Sequence, residues 1–185
     1  QAFWFVTLAA LGRRGPLRRR APHVVPWADV AAHFASTPEE AQVAELRDLH
    51  PTDVVSRLQS LPLARRQQVM ALLADEQAIE NLQRIYGFYI DKGLWSEAAA
   101  LFTEDAELEI QGRGVFRGRD RILGYLRAVG PEGLQSGRLY DHMQLQPLTH
   151  VAADGKTARG RWHLFAQLAQ HGQFHEWQTG VYENQ

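Results

Sequence analysis

The stretch RLYDHMQLQPLTHVAADGKTARGRW, Arg138 to Trp162, decides how this chain is read. Two runs of alternating residues flank Asp154-Gly155, a dipeptide whose tolerance of positive φ suits a tight turn between antiparallel strands. The pattern predicts a hairpin. It also raises a chemical question, because His142 sits beside Asp141 at the start of the first run. Neighbours on a strand point to opposite faces, so Asp141 and His142 cannot easily share one pocket. If His142 has a carboxylate partner, that partner comes from elsewhere in the chain.

Working towards the C-terminus, HEWQTGVYENQ continues in strand pattern to Gln185. Working back, RDRILGYLRAV puts Ile122, Leu123, Leu126 and Val129 on one helical face. AELEIQGRGVFRG alternates Leu108 and Ile110 against Glu107, Glu109 and Gln111, a strand broken by glycines. WSEAAALF reads as a short helix with Ser96 as its N-cap. EQAIENLQRIYGFYIDKG places Ile79, Leu82, Tyr86, Tyr89 and Ile90 on one face and ends at Gly93. Helix, helix, strand, helix and a meander of strands describe an α+β domain. Its helices cover one face of a curved antiparallel sheet and close a cone-like apolar pocket.

Ahead of this lie two further zones. Residues 39–74 form a helical extension. Thr37 and Pro38 open it, Pro51 restarts it after His50 with Thr52 or Asp53 near the new start, and Pro62 begins a third short helix carrying Leu63, Val69, Met70 and Leu73. Residues 1–38 read as a linker or fragment end, with one short helix around Trp27 to Phe34. The opening AFWFVTLAALGRRG is apolar for about ten residues and then basic, the reverse of a secretory signal. It is half the ~20 residues a spanning helix needs, so a membrane role is not expected, although the cut end of such a helix fits too. The arginines at 13, 14, 18, 19 and 20 lack interleaved aromatics and amphipathic periodicity, and read as a solvated linker.

The chain has 185 residues, 45% of them hydrophobic, with a net charge of -1. That balance gives no electrostatic case for nucleic acid. There are no cysteines, which excludes disulfides and thiolate metal sites. Among eight histidines only His171 and His175 are four apart, and they sit in or near turns and not on a helix as in a zinc site, so no metal is expected.

The pieces YIDKGLWSEAAALFTEDAELEI, GRGVFRGRDRI, HMQLQP, ADGKTARGRW and GVYEN together resemble the SnoaL-like branch of the nuclear transport factor 2-like superfamily, over roughly residues 75–185. Members that resemble this sequence include scytalone dehydratase and hexachlorocyclohexane dehydrochlorinase, both eliminating enzymes. A shorter segment, LHPTDVVSRLQSLPLARRQQVMALL, resembles the helical repeats in the cytoplasmic N-terminal region of MgtE-type magnesium transporters, and no ligands are carried over from it.

The SnoaL-like resemblance implies a catalytic pair, with Asp91 in YIDKG contacting His142 in DHMQLQP. It aligns Leu108, Ile110, Trp162, Leu164 and Ala166 with substrate-facing positions, and leaves Tyr86 and Tyr89 able to hydrogen-bond a substrate oxygen or simply to fill the core. It implies a cofactor-independent lyase or isomerase acting on a small hydrophobic, cyclic molecule in a cytoplasmic homo-oligomer. His163, out of phase with Trp162, is expected to face away from the pocket, toward a subunit interface. The alternative is a non-catalytic ligand-binding or assembly module, including a role like that of a dioxygenase small subunit beside an iron-bearing chain. In that case Asp91 caps a helix end and His142 satisfies a strand edge. The family's sheet continues past GVYEN into one more strand. Here the chain stops, so truncation, or an exposed edge and an open pocket, is expected.

Overall fold

The computed structural model describes residues 3–11 (as backbone), 42–43, 45–46, 49–152 and 155–185. Six strands form one sheet: β1 (Phe3–Leu11), β2 (Glu107–Ile110), β3 (Gly114–Arg117), β4 (Arg138–Val151), β5 (Ala158–Gln170) and β6 (Phe174–Asn184). Among the described residues, four complete helices accompany it: α1 (Pro51–Ser60), α2 (Leu63–Asp91), α3 (Trp95–Ala100) and α4 (Arg119–Val129). The spatial order is β3-β2-β1-β6-β5-β4.

The expected hairpin is present: β4 and β5 pair antiparallel, from Arg138 opposite Gln170 to Val151 opposite Ala158. Asp154 lies outside the described residues, but Gly155 has φ +65, and Ala152 N–H donates to Thr157 O at 2.8 Å across the turn. β5 and β6 pair in the same sense.

Three features differ from the expectation. The apolar opening, read as a fragment end, is strand β1. It runs antiparallel to β6 and parallel to β2, so the far edge of β6 is paired and the sheet contains one parallel pair. A short unbroken apolar run has no period that separates strand from helix, and a strand with neighbours on both sides is allowed to be apolar throughout. The expected short helix at Trp27 to Phe34 lies outside the described residues.

The second difference is continuity. The extension and the first helix of the domain are one helix, α2, of 29 residues, so the boundary expected at 74/75 falls inside it. No proline or glycine interrupts the chain between Leu63 and Tyr86, and at ~1.5 Å per residue the helix is ~43 Å long. Its first turns pack with α1 in a small separate core of Val43, Leu46 and Val69, with Leu58 and Leu61 against it. Arg66 closes α1 from outside, donating to the carbonyls of Leu58, Gln59 and Leu61 at the helix end.

Third, Ser96 is not the cap of α3; Leu94 occupies that position. The Ser96 N–H is satisfied from a distant loop, by Glu132 Oε1 at 3.0 Å.

The main core gathers Tyr86, Trp95, Phe102, Leu108, Ile122, Leu126, Trp162 and Leu164 between the helices and the sheet. Trp95 is 1% exposed, and its indole N–H donates to the carbonyls of Gly130 and Pro131 at 2.9 and 3.0 Å, fixing α3 to the end of α4. Three helices, α2, α3 and α4, and one sheet face thus enclose the pocket region, as the α+β pattern implies.

Candidate functional site

Asp91 occupies the last helical position of α2, and the end of that helix is sharply defined. Gly93 has φ +64; its N–H donates to Ile90 O at 3.1 Å, and Leu94 N–H donates to Tyr89 O at 2.8 Å. This pair of bonds is a Schellman closure, which needs a residue at ease in the left-handed region, and glycine supplies it. A carboxylate at a helix C-terminus opposes the macrodipole and cannot cap carbonyls, since both only accept. The helix end therefore gives Asp91 no reason to be there.

Its partners lie on β4, the last strand of the sheet. Asp91 Oδ1 accepts from the His142 backbone N–H at 2.9 Å and lies 2.8 Å from His142 Nδ1. Gly87, one turn earlier, leaves room for the Gln144 side chain of β4: a Cβ there would sit 2.3 Å from its amide end. The two side chains are largely withdrawn from solvent, 18% exposed for Asp91 and 13% for His142. An ionised carboxylate only accepts, so it assigns the proton to Nδ1 and leaves Nε2 with the lone pair.

His142 borders a cavity of about 100 Å³. Of the residues expected around it, Tyr86, Ile110 and Leu164 line this cavity with His142. Leu108 and Ala166 are each 0% exposed within the core and are not on the cavity wall. Tyr89 packs partly buried against the core, also off the wall. Trp162 lines a second cavity, of about 220 Å³, instead. His163 is exposed and on the outer face of the sheet.

The cavity also has lining residues that the sequence reading missed. Tyr140 lies two residues before His142 on the same face of β4, and Leu168 follows Leu164 on β5, so simple alternation reaches both. Gln178 and Tyr182 are likewise in phase on β6. Trp95, Tyr125 and Arg113 carry no such signal. Arg113 is an exposed residue in the turn between β2 and β3, of a kind that usually means only solvation.

Burial pushes the Tyr86 hydroxyl well above its ordinary pKa, with the neighbouring Tyr125 adding to the effect. Burial does the same for Tyr182, reinforced by Tyr86, Asp91 and Tyr125. Both phenols therefore stay protonated across the neutral range and are donors, not bases. Their rings pack edge to face, 6.3 Å between centroids. The wall is thus mainly apolar, with one imidazole, a few hydroxyls and one guanidinium turned toward it.

A curved sheet enclosing such a site under helices defines a class of small-molecule-binding α+β domain. The model of the SnoaL-like domain family matches residues 71–185, more than half of the chain. The chain belongs to that family. Solved structures share the fold: a scytalone dehydratase-like protein from Novosphingobium aromaticivorans (23% identity, 60% of this chain and 72% of the other covered, TM-score 0.52) and an NTF2-like protein with a cystatin-like fold from the same organism (22%, 67% and 80%, TM-score 0.53). No curated protein matches the chain in sequence. The MgtE-like resemblance of the helical extension gains no support from these matches. Among the described residues, no helix is long and apolar enough to cross a membrane.

Proposed function

We propose that this SnoaL-like domain is a cofactor-independent lyase or isomerase, in which Asp91 and His142 remove a proton from a carbon atom of a small hydrophobic, cyclic substrate. The observation that carries this reading is the double hold of Asp91 Oδ1 on the backbone and ring of His142 beside an apolar cavity. The carboxylate fixes the tautomer, orients the ring and stabilises the imidazolium formed when Nε2 takes the proton. Tyr86 and Tyr182 supply hydroxyls within the same wall. The cavity is somewhat smaller than the ~150 Å³ space that holds a benzene molecule, so the enclosed part of the substrate is about one small ring.

The test is steady-state kinetics of Asp91→Asn against pH, on a substrate found by screening. Asparagine still accepts the His142 backbone N–H but loses the charge. Turnover is expected to fall far more than binding, and wild-type activity to rise with pH as the base becomes neutral. If turnover were unchanged and only the Michaelis constant rose, Asp91 would be a binding or structural residue.

A second reading, assembly, has its own observation. The outer face of the sheet exposes Leu139, Met143, Leu145 and Trp177, the last stacked on Phe165 with 5.0 Å between ring centroids. We propose that a second copy of the chain covers this face, in keeping with a homo-oligomer. Sedimentation of wild type and Trp177→Arg tests it: the wild type should run as an oligomer and the variant as a monomer. A monomeric wild type at high concentration would remove the proposal without touching the catalytic one.

A further inference from the structure

Arg113 has no part in the scheme above, yet it lines the cavity that His142 borders. The local chain puts it there. Gly112 and Gly114 flank it with φ +77 and +120, and its own N–H donates to Ile110 O at 2.9 Å, so the tight turn after β2 folds back over the cavity. Among the described residues no carboxylate pairs with it. Six other arginines, at 57, 84, 117, 119, 127 and 161, do have acidic partners. Its neighbour is Tyr125 on α4, whose ring packs on Phe116 with 4.3 Å between centroids. Burial raises the pKa of the Tyr125 hydroxyl, while the charge and hydrogen bonding of Arg113 act in the opposite sense.

We infer that Arg113 and Tyr125 form an oxyanion site facing His142, and that the substrate carries a carbonyl or phenol oxygen bound there. This rests on the proton-abstraction reading and names the substrate class it serves. When Nε2 takes a proton from the carbon next to a carbonyl, the C–H pair becomes a carbon–carbon double bond and the carbonyl π pair moves onto oxygen. Charge is conserved: imidazole becomes imidazolium, and the neutral ketone becomes an enolate. The enolate oxygen needs donors that are fixed before it forms, and a guanidinium with a phenol hydroxyl is a strong set of such donors. Arg113 and Tyr125 thus decide which substrates react, in preference to hydrocarbons of the same shape.

The test reads binding and not turnover, so it stands or falls apart from the catalytic reading. The full chain is equilibrated by dialysis with 4-nitrophenol at a pH where it is ionised, and separately with neutral 4-nitroanisole. Wild type should hold the phenolate at least about tenfold more tightly, the worth of one charged hydrogen bond. Arg113→Met should abolish that preference and Tyr125→Phe should reduce it, with thermal melts showing that both variants fold. His142→Ala should keep it, which excludes an imidazolium as the anion's partner. Equal binding of the two probes, a preference that survives Arg113→Met, or no binding of the phenolate to the folded wild type would overturn the inference.

Discussion

Two cavities lie along the inner face of β5, and they teach opposite lessons about size and chemistry. Leu164 and Leu168 line the smaller, about 100 Å³; Ala158, Gly160 and Trp162 line the larger, about 220 Å³. The larger has Gln83, Thr103, Arg159 and Asn184 around it, with Asn184 Nδ2 donating to Gln83 Oε1 at 2.6 Å. Amides and a guanidinium can hold a ligand but cannot take a proton at neutral pH. The smaller has an oriented imidazole. If volume chose the site, chemistry would fail there; the functional reading follows the group that can change its protonation state.

The largest expected effect breaks this comparison outright. His142→Ala should lower turnover by ~10²–10⁴, the range for loss of a general base. Trp162→Phe, at the larger cavity, should change it by no more than a few-fold. Adding Asp91→Asn to His142→Ala should cost little more, because the carboxylate acts through the ring it orients. Additive losses in the double variant would mean the two residues work separately, and a large loss from Trp162→Phe alone would move the site to the other cavity.

Next in size is a packing effect at the larger cavity. A Cβ on Gly160 would lie 2.2 Å from the Trp162 ring, which is 3% exposed and would have to shift as a rigid indole. Overpacking of this kind costs ~1–3 kcal/mol. Gly160→Ala should therefore lower the unfolding free energy from denaturant titration by that amount while leaving the Asp91–His142 pair, at the other cavity, in place. Unchanged stability would show that Trp162 is loosely held and the two cavities are not separately walled.

How far these regions were legible in the sequence follows from the range of the interactions. The β4–β5 hairpin was readable because alternation and Asp154-Gly155 are local signals. The pairing of Asp91 with His142 was not: the residues are 51 apart, and only the family resemblance joined them. Arg113 reads as a solvated turn residue, since a charge between two glycines has no periodicity to show which way it folds. β1 pairs with residues at the opposite end of the chain, and FWFVTLAAL fits a buried strand or a helix equally well until a partner is known. The break placed at residue 74 was a change of topic in the sequence and not a change of backbone, because helix formers run straight through it.

A smaller effect tests the polar edge of the active cavity. Tyr86 has its folded-state pKa raised by burial, so the native state keeps a proton that the unfolded state gives up above pH ~10. The unfolded chain then binds fewer protons, and stability must fall as pH rises. The contribution is fully present below the unfolded value and is lost toward the folded one, by up to ~1.4 kcal/mol per pH unit for each such tyrosine. The other four tyrosines, Lys92 and Lys156 are common to both proteins, so the difference in slope between wild type and variant reports Tyr86. Denaturant midpoints from pH 9 upward should decline less steeply in Tyr86→Phe than in wild type. Parallel slopes would mean that the Tyr86 hydroxyl is reached by water in the native state.

The smallest effect concerns the device that switches which residues of β4 face the core. Leu145 pairs with His163 and Leu148 with Arg161, so three steps on β4 match two on β5, and one residue bulges. The bulge reverses the alternation. Tyr140 and His142 face inward before it, whereas Thr149 and Val151 are the buried residues after it. Gln146 carries the strain, with φ +52, and Pro147 beside it has no N–H to offer the ladder, which is why proline is tolerated at a bulge. A left-handed conformation costs a side-chain-bearing residue ~1–2 kcal/mol. Glycine would remove that strain but adds freedom to the unfolded chain worth ~0.4–1 kcal/mol. Gln146→Gly should therefore stabilise by a few tenths to about 1 kcal/mol, raising Tm by up to ~2–4 °C for a chain of this size. Activity should be unchanged, because His142 is held from α2 on the other side of the bulge. A lower Tm would show that Gln146 is not left-handed in solution. Thr149 and Val151 would then no longer be turned toward the core.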